Sequence, residues 1–221
     1  MWTLYSALAA YWNLDEASGT RYSADGLTNL TDNNTVGQAA GVPIYAANFT
    51  RANAEYLYSA DNARLSMAAA QDFSMVVWVY MATNVGNMSV FDKRDSSGSS
   101  YAFDYYLFSS FPFGKYIFGV SNGTTYTELL AGTLITGVWN FIYTFHDAVN
   151  DLVGIEFNTT DYYQQPWSGG CHHGTGGFAV GRSGDISANY WDGRICGLGI
   201  WKRTLTYQER LWLYNQGRGR L

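Results

Sequence analysis

Residues 190–217 read YWDGRICGLGIWKRTLTYQERLWLYNQG. The first half has the rhythm of a strand: Ile195, Gly197 and Gly199 break step with Leu198, Ile200 and Trp201. Then the period changes. Thr206 and Glu209 form a T-x-x-E capping box, in which each side chain satisfies an orphan amide at the start of a helix. Leu211, Trp212 and Tyr214 follow at helical spacing, and Gly217 suits a left-handed stop. No other stretch of the 221 residues makes as clear a helix.

Upstream, candidate strands recur about every ten residues, divided by clusters of Gly, Asn, Asp and Ser, the signature of a sandwich. Asn122-Gly123 marks a two-residue hairpin. DSSGSS (95–100) reads as a loop and HDAVND (146–151) as the turn of a central hairpin. QQPWSGGCHHGTGG (164–177) is the longest irregular stretch. There is no linker or repeat, so one domain is expected. The expected fold is all-β: a two-sheet antiparallel jelly-roll sandwich with one short C-terminal helix and its first and last strands paired. Leu14, Trp78, Val79, Phe141, Tyr143, Phe145, Ile155, Phe157, Val180, Ile195 and Ile200 are the core candidates.

Five segments carry a family resemblance. AAYWNLDEASGTRY (9–22) resembles the opening strand of laminin-G-like jelly-roll domains, within the concanavalin A-like lectin/glucanase group. NFTRANAEYLYSADNARLSM (48–67) and DFSMVVWVYM (72–81) resemble that family's second signature. TGVWNFIYTFHDAVNDLVGIEFN (136–158) resembles its central hairpin, and GGFAVGRSG (176–184) its "xxIGxxxG" strand. With the C-terminal stretch they stand in the family's order over residues 9–216. The expected division is an apolar extension (1–8), the jelly roll (9–217) and a basic tail (218–221) with Arg218 and Arg220. The resemblance implies a concanavalin A-like fold but no single activity, because the fold hosts lectins, hydrolases, adhesion modules and virus structural proteins.

Composition narrows the function. Charged residues are 14% and aromatics 17%, with 18 Tyr, 12 Phe and 8 Trp. Such a chain has aromatic surface to spare for glycan stacking or a protein interface. A net charge of −5 with three lysines argues against nucleic acid, which needs a basic patch. No run of about 18 apolar residues exists, so no membrane insertion is expected. MWTLYSALAA lacks the basic start and long apolar core of a signal peptide, so Met1 is read as the true start. Cys171 and Cys196 leave two readings open, one disulfide or two buried thiols, the second favoured.

Catalysis is not expected. Retaining glycosidases need two carboxylates about 5 Å apart. On one strand that means acids at i and i+2 or i+4. None of the five glutamates has such a neighbour, and Asp104 stands alone in YAFDYYLF. Acids on different strands could still meet. Cys171 beside His172 is adjacency, not a dyad. Cys171, His172 and His173 are too few for a structural zinc, so no metal residue is assigned and no cofactor is expected. Calcium stays open through Asp15, Glu16, Asp25, Asp32 and Asp192. Family members commonly read Ile-Asp-Glu-Val in the penultimate strand; Ile195-Cys196-Gly197-Leu198 lacks both acids, which puts a family-type site in doubt.

Recognition remains. Sugar sites pair aromatic faces with amides, carboxylates, His or Arg. Tyr101, Tyr105 and Tyr106 form one candidate set, with Tyr101, Phe103 and Tyr105 expected on one strand face and Asp104 and Tyr106 on the other. Trp167, His172 and His173 form the second. The leading expectation is a non-enzymatic virion surface protein, a phage capsid decoration or fibre module. It would be made in the host cytoplasm, be homo-oligomeric, and dock on capsid or tail proteins through Trp2, Leu4, Tyr5 and Leu8. It could also hold a host-surface glycan. The alternative is a free-standing carbohydrate-binding lectin, outside the cell; a glycoside hydrolase comes third.

Overall fold

The computed structural model describes residues 2–96 and 101–219, with Trp2 and Thr3 described in backbone only. The Trp2 side chain, Arg220 and most of the 95–100 loop therefore lie outside the described residues.

Fifteen strands are described: β1 (Leu8–Trp12), β2 (Thr31–Asn33), β3 (Gly37–Ala40), β4 (Tyr45–Phe49), β5 (Tyr56–Ser59), β6 (Phe73–Met81), β7 (Met88–Arg94), β8 (Phe103–Ser110), β9 (Lys115–Ser121), β10 (Tyr126–Ala131), β11 (Trp139–Asp147), β12 (Leu152–Phe157), β13 (Asp161–Pro166), β14 (Gly177–Val180) and β15 (Gly193–Trp201). The helix α1 (Tyr207–Tyr214) follows. One sheet runs β13-β12-β11-β6-β15-β4-β3, with β1 also on β15; the other runs β10-β9-β8-β7-β14-β5-β2. Every strand pair is antiparallel. The fold is the expected jelly-roll sandwich, and its first and last strands do pair, Tyr11 opposite Gly199.

All eleven core candidates are buried, but in two layers. Strand alternation sends Met75, Val77 and Val79 of β6 between the sheets, and Val76 and Trp78 to the outer face. That outer face is covered. Leu213 and Tyr214 of α1 pack there, the Tyr214 ring stacked 5.6 Å from Trp78. Leu4 and Leu8 pack there too, Trp201 Nε1 donates to Leu4 O at 2.7 Å, and Leu8 opens β1. Leu4 and Leu8, two of the four residues expected to dock, are thus partly buried on the chain's own sheet. Among the docking candidates whose side chains are described, Tyr5 stays well exposed, at 76%.

Local chemistry explains the departures from simple alternation. Gly197 takes φ +56 at a bulge in β15, so Ile195 and Leu198 both face inward though three apart. The Asn122 turn holds four residues, not two, because Asn122 Oδ1 accepts the amides of Thr124 and Thr125 at 2.9 and 2.8 Å. The capping box at Thr206 and Glu209 forms as read. The stop comes earlier than Gly217: Asn215 takes the left-handed cap, which Asn tolerates. Cys171 lies between the sheets and Cys196 in the outer layer, both as free thiols.

Candidate functional site

The irregular segment after β13 closes one end of the sandwich. Trp167 N donates to Asp151 O at 2.7 Å, tying it to the β11–β12 turn. Cys171 N donates to Ala69 O at 3.1 Å, and His172 N to Ser121 O at 2.5 Å. The segment therefore bridges from one sheet to the other. Its glycines are obligatory: a side chain on Gly169 would strike the Trp167 indole, and one on Gly170, at φ +75, would strike Ala69 O.

Below it lies an oxygen cage around an ammonium. Lys93 Nζ donates to Asp61 Oδ1 (2.9 Å), Gly174 O (3.1 Å) and Gly176 O (2.9 Å), and lies 3.2 Å from Asp104 Oδ2. Asp104 Oδ1 accepts Gly174 N at 2.9 Å and lies 3.2 Å from His172 Nδ1. Burial pushes the Asp104 carboxyl up, and Lys93 opposes it. Two acids, Asp104 of β8 and Asp61 of the loop after β5, converge here, yet on a buried cation rather than on an open substrate site.

Between this segment and the β11–β12 turn opens a cleft of about 240 Å³, lined by Ala69, Ala70, His146, Ala148, Asp151, Trp167 and residues 168–170. Trp167 is partly buried against the core, its Nε1 donating to Gly170 O at 2.8 Å. His146 is fully buried, its ring 5.3 Å from Phe73. Its Nδ1 lies 2.9 Å from Gln71 O, a carbonyl that can only accept, so Nδ1 carries the hydrogen. Nε2 is then a lone-pair acceptor, and it has no partner among the described residues. Burial lowers the His146 pKa and keeps the ring neutral, against the pull of Asp72, Asp147 and Asp151. An indole, small apolar walls and the Asp151 carboxylate suit a ring with an apolar face and hydroxyl donors. The volume is below the roughly 300–1,000 Å³ that encloses a drug-sized ligand, so it admits one ring of a longer molecule.

Four of the six sequence candidates gather at this end. Trp167 lines the cleft. His172 stands against Gly123 of the neighbouring turn, and His173 is exposed beside it. Tyr101, 39% exposed, lies 5.8 Å from the Tyr126 ring, and its carbonyl accepts Ser121 Oγ at 2.9 Å. Tyr105 does not belong: it is fully buried between the sheets, its hydroxyl donating to Leu65 O at 2.6 Å. Tyr106 is buried on the opposite face of its sheet, hydrogen-bonded to Glu128 and lying over Gly119. His146 and Asp151 were missed; the available signal was that His146 shares the inward parity of Ile142 and Thr144 at a strand end. Among the described residues, no three of His, Cys, Asp and Glu come together to hold a metal. The five calcium candidates have other partners. Asp32 accepts Gly19 N and Val36 N, Asp192 accepts Arg51 N and Thr83 Oγ1, Asp25 pairs with Arg64, and Glu16 accepts Tyr22 N. At Asp15 it is the backbone carbonyl that accepts, from Gln38 Nε2.

Two antiparallel sheets, a covered back and a loop-built end define a jelly-roll sandwich. The chain belongs to the concanavalin A-like lectin/glucanases superfamily, whose laminin-G-type model matches residues 51–209. No curated protein sequence matches it. Among solved structures it is similar to the binding domain of Paraclostridial Mosquitocidal Protein 1 (TM-score 0.71, 13% identity, 96% of this chain and 52% of that one). It is also similar to domain 4 of AbnA, an extracellular GH43 arabinanase of Geobacillus stearothermophilus solved with arabinotriose (TM-score 0.68, 15% identity, 97% and 99%). A third is from botulinum neurotoxin type C, whose cell entry depends on two ganglioside molecules (TM-score 0.68, 11% identity, 95% and 51%). The chain spans about half the length of the two toxin chains and nearly all of the arabinanase domain. At these identities the likeness establishes the fold.

Proposed function

We propose that this domain is a non-catalytic, lectin-like carbohydrate-binding module that seats one sugar ring in the Trp167 cleft. The observation that carries the reading is a ring-sized cleft lined by the Trp167 indole and the Asp151 side chain. The arabinanase domain with arabinotriose and the ganglioside-dependent toxin give it support from the same fold. Absence of catalysis is supported by Lys93, whose ammonium engages both acids that meet. The virion reading has less support: Leu4 and Leu8 pack on the chain's own outer sheet face, and the similar structures named above come from toxins and an arabinanase.

The test is a glycan array followed by titration calorimetry. Wild-type protein is expected to bind, and Trp167→Ala to lose at least about tenfold, roughly 1.4 kcal/mol. Trp167→Phe, which keeps a ring in place, should lose less. An unchanged melting curve separates lost binding from lost folding. A wild-type protein that binds no glycan ends this reading.

A further inference from the structure

The charge around the cleft bears on which sugars it accepts. Asp151 lines the cleft, and Asp72 and Asp147 lie close enough to act on the His146 ring. Their hydrogen-bond partners are neutral: Asp72 Oδ1 accepts Ala148 N at 2.8 Å, and Asp147 accepts Asn150 N and Nδ2 at 3.0 and 2.8 Å. Among the described residues none of the three is ion-paired, and no Lys or Arg lines the cleft. The nearest buried cation along the segment, Lys93, is already consumed by Asp61 and Asp104. A carboxylate ligand would thus meet three like charges and no counter-charge. Recognition of sugar acids depends on Arg or Lys for charge-assisted hydrogen bonds. A neutral ring meets no such repulsion, and its hydroxyls can donate to the Asp151 carboxylate.

We infer that the cleft selects neutral sugar rings and discriminates against sialic and uronic acids through Asp72, Asp147 and Asp151. This rests on the carbohydrate-binding reading above. Discrimination of this kind is Coulombic, so it weakens as salt rises.

The experiment uses matched glycan pairs that differ only in a terminal acid: a neutral oligosaccharide and its sialylated form, and a hexose-terminated chain and its uronic counterpart. Binding is measured at low and high salt. The neutral member should bind at least fivefold more tightly, and the gap should narrow in high salt. Asp151→Asn and Asp72→Asn should narrow it further. The first is tolerated by the backbone, because Asp151 sits at φ +54, where Asn is at home. The second keeps an oxygen for Ala148 N. An acidic member that binds as tightly as its neutral partner, with binding lost in Trp167→Ala, overturns the selectivity and leaves the carbohydrate reading intact. A gap that neither Asn substitution moves also overturns it. Binding of neither member overturns the carbohydrate reading, and this inference with it.

Discussion

Asp92 is fully buried, with Arg94 Nε 2.9 Å from its Oδ2. Burial pushes its carboxyl up to about 7, although Arg94 pulls it down. Between pH 4 and 7 the unfolded chain has released this proton while the folded chain keeps it. The stabilising contribution is therefore present below pH 4 and is lost as pH rises through 7, at up to about 1.4 kcal/mol per unit. Asp92→Asn removes that slope, so the variant should gain on wild type between pH 4.5 and 7.5 in urea midpoints; a constant difference would refute the assignment. The residue scale is also where the sequence was least legible. Asp104 is the extra residue of a bulge: Lys93 opposes Tyr105 while Arg94 opposes Phe103. Parity flips there, so Phe103 joins Tyr106 on the outer face, 4.6 Å away, and Tyr105 turns into the core. Alternation carries no sign of such an insertion.

Among elements, α1 was the most legible because its signal is local. Thr206 Oγ1 accepts Glu209 N, Glu209 accepts Thr206 N, and Arg203 holds both Glu209 oxygens at 2.8 and 2.7 Å. Thr206→Ala should cost about 1 kcal/mol of global stability, since α1 covers Trp78 and cannot fray without exposing it. A thermal melt unchanged within error would mean the helix is held by packing alone. Leu4 and Leu8 were misread for the opposite reason. Their partners, Trp201 above all, lie almost two hundred residues away, and a second apolar layer is needed before they have a place. The cleft divides in the same way. Trp167 stands out in an unusual stretch, whereas His146 and Asp151 reach it only through the β11–β12–β13 meander.

At the scale of the molecule, the two layers keep the cysteines apart. Cys171 lies between the sheets, and Cys196 is beneath the helix with its thiol pushed up to about 12 by burial. Neither is a reactive thiolate. A reducing agent should leave the melting temperature unchanged, and thiol labelling should track unfolding; a melting point that drops on reduction would show a bridge the fold does not have. Covering one sheet also limits where a ligand could sit: the outer face of the β6 sheet is occupied by the chain itself. On the carbohydrate-binding reading proposed above, one ring per cleft would give modest affinity, which copies on a shared support would raise by avidity.

Lys93 stands where a dissolved ion would be expected, ringed by oxygens from three parts of the chain. A tethered ammonium cannot be diluted away, stripped by a chelator or exchanged for a neighbour in the medium. The segment that carries Trp167 is thereby set by covalent chemistry, and its shape travels with the polypeptide from one ionic environment to the next.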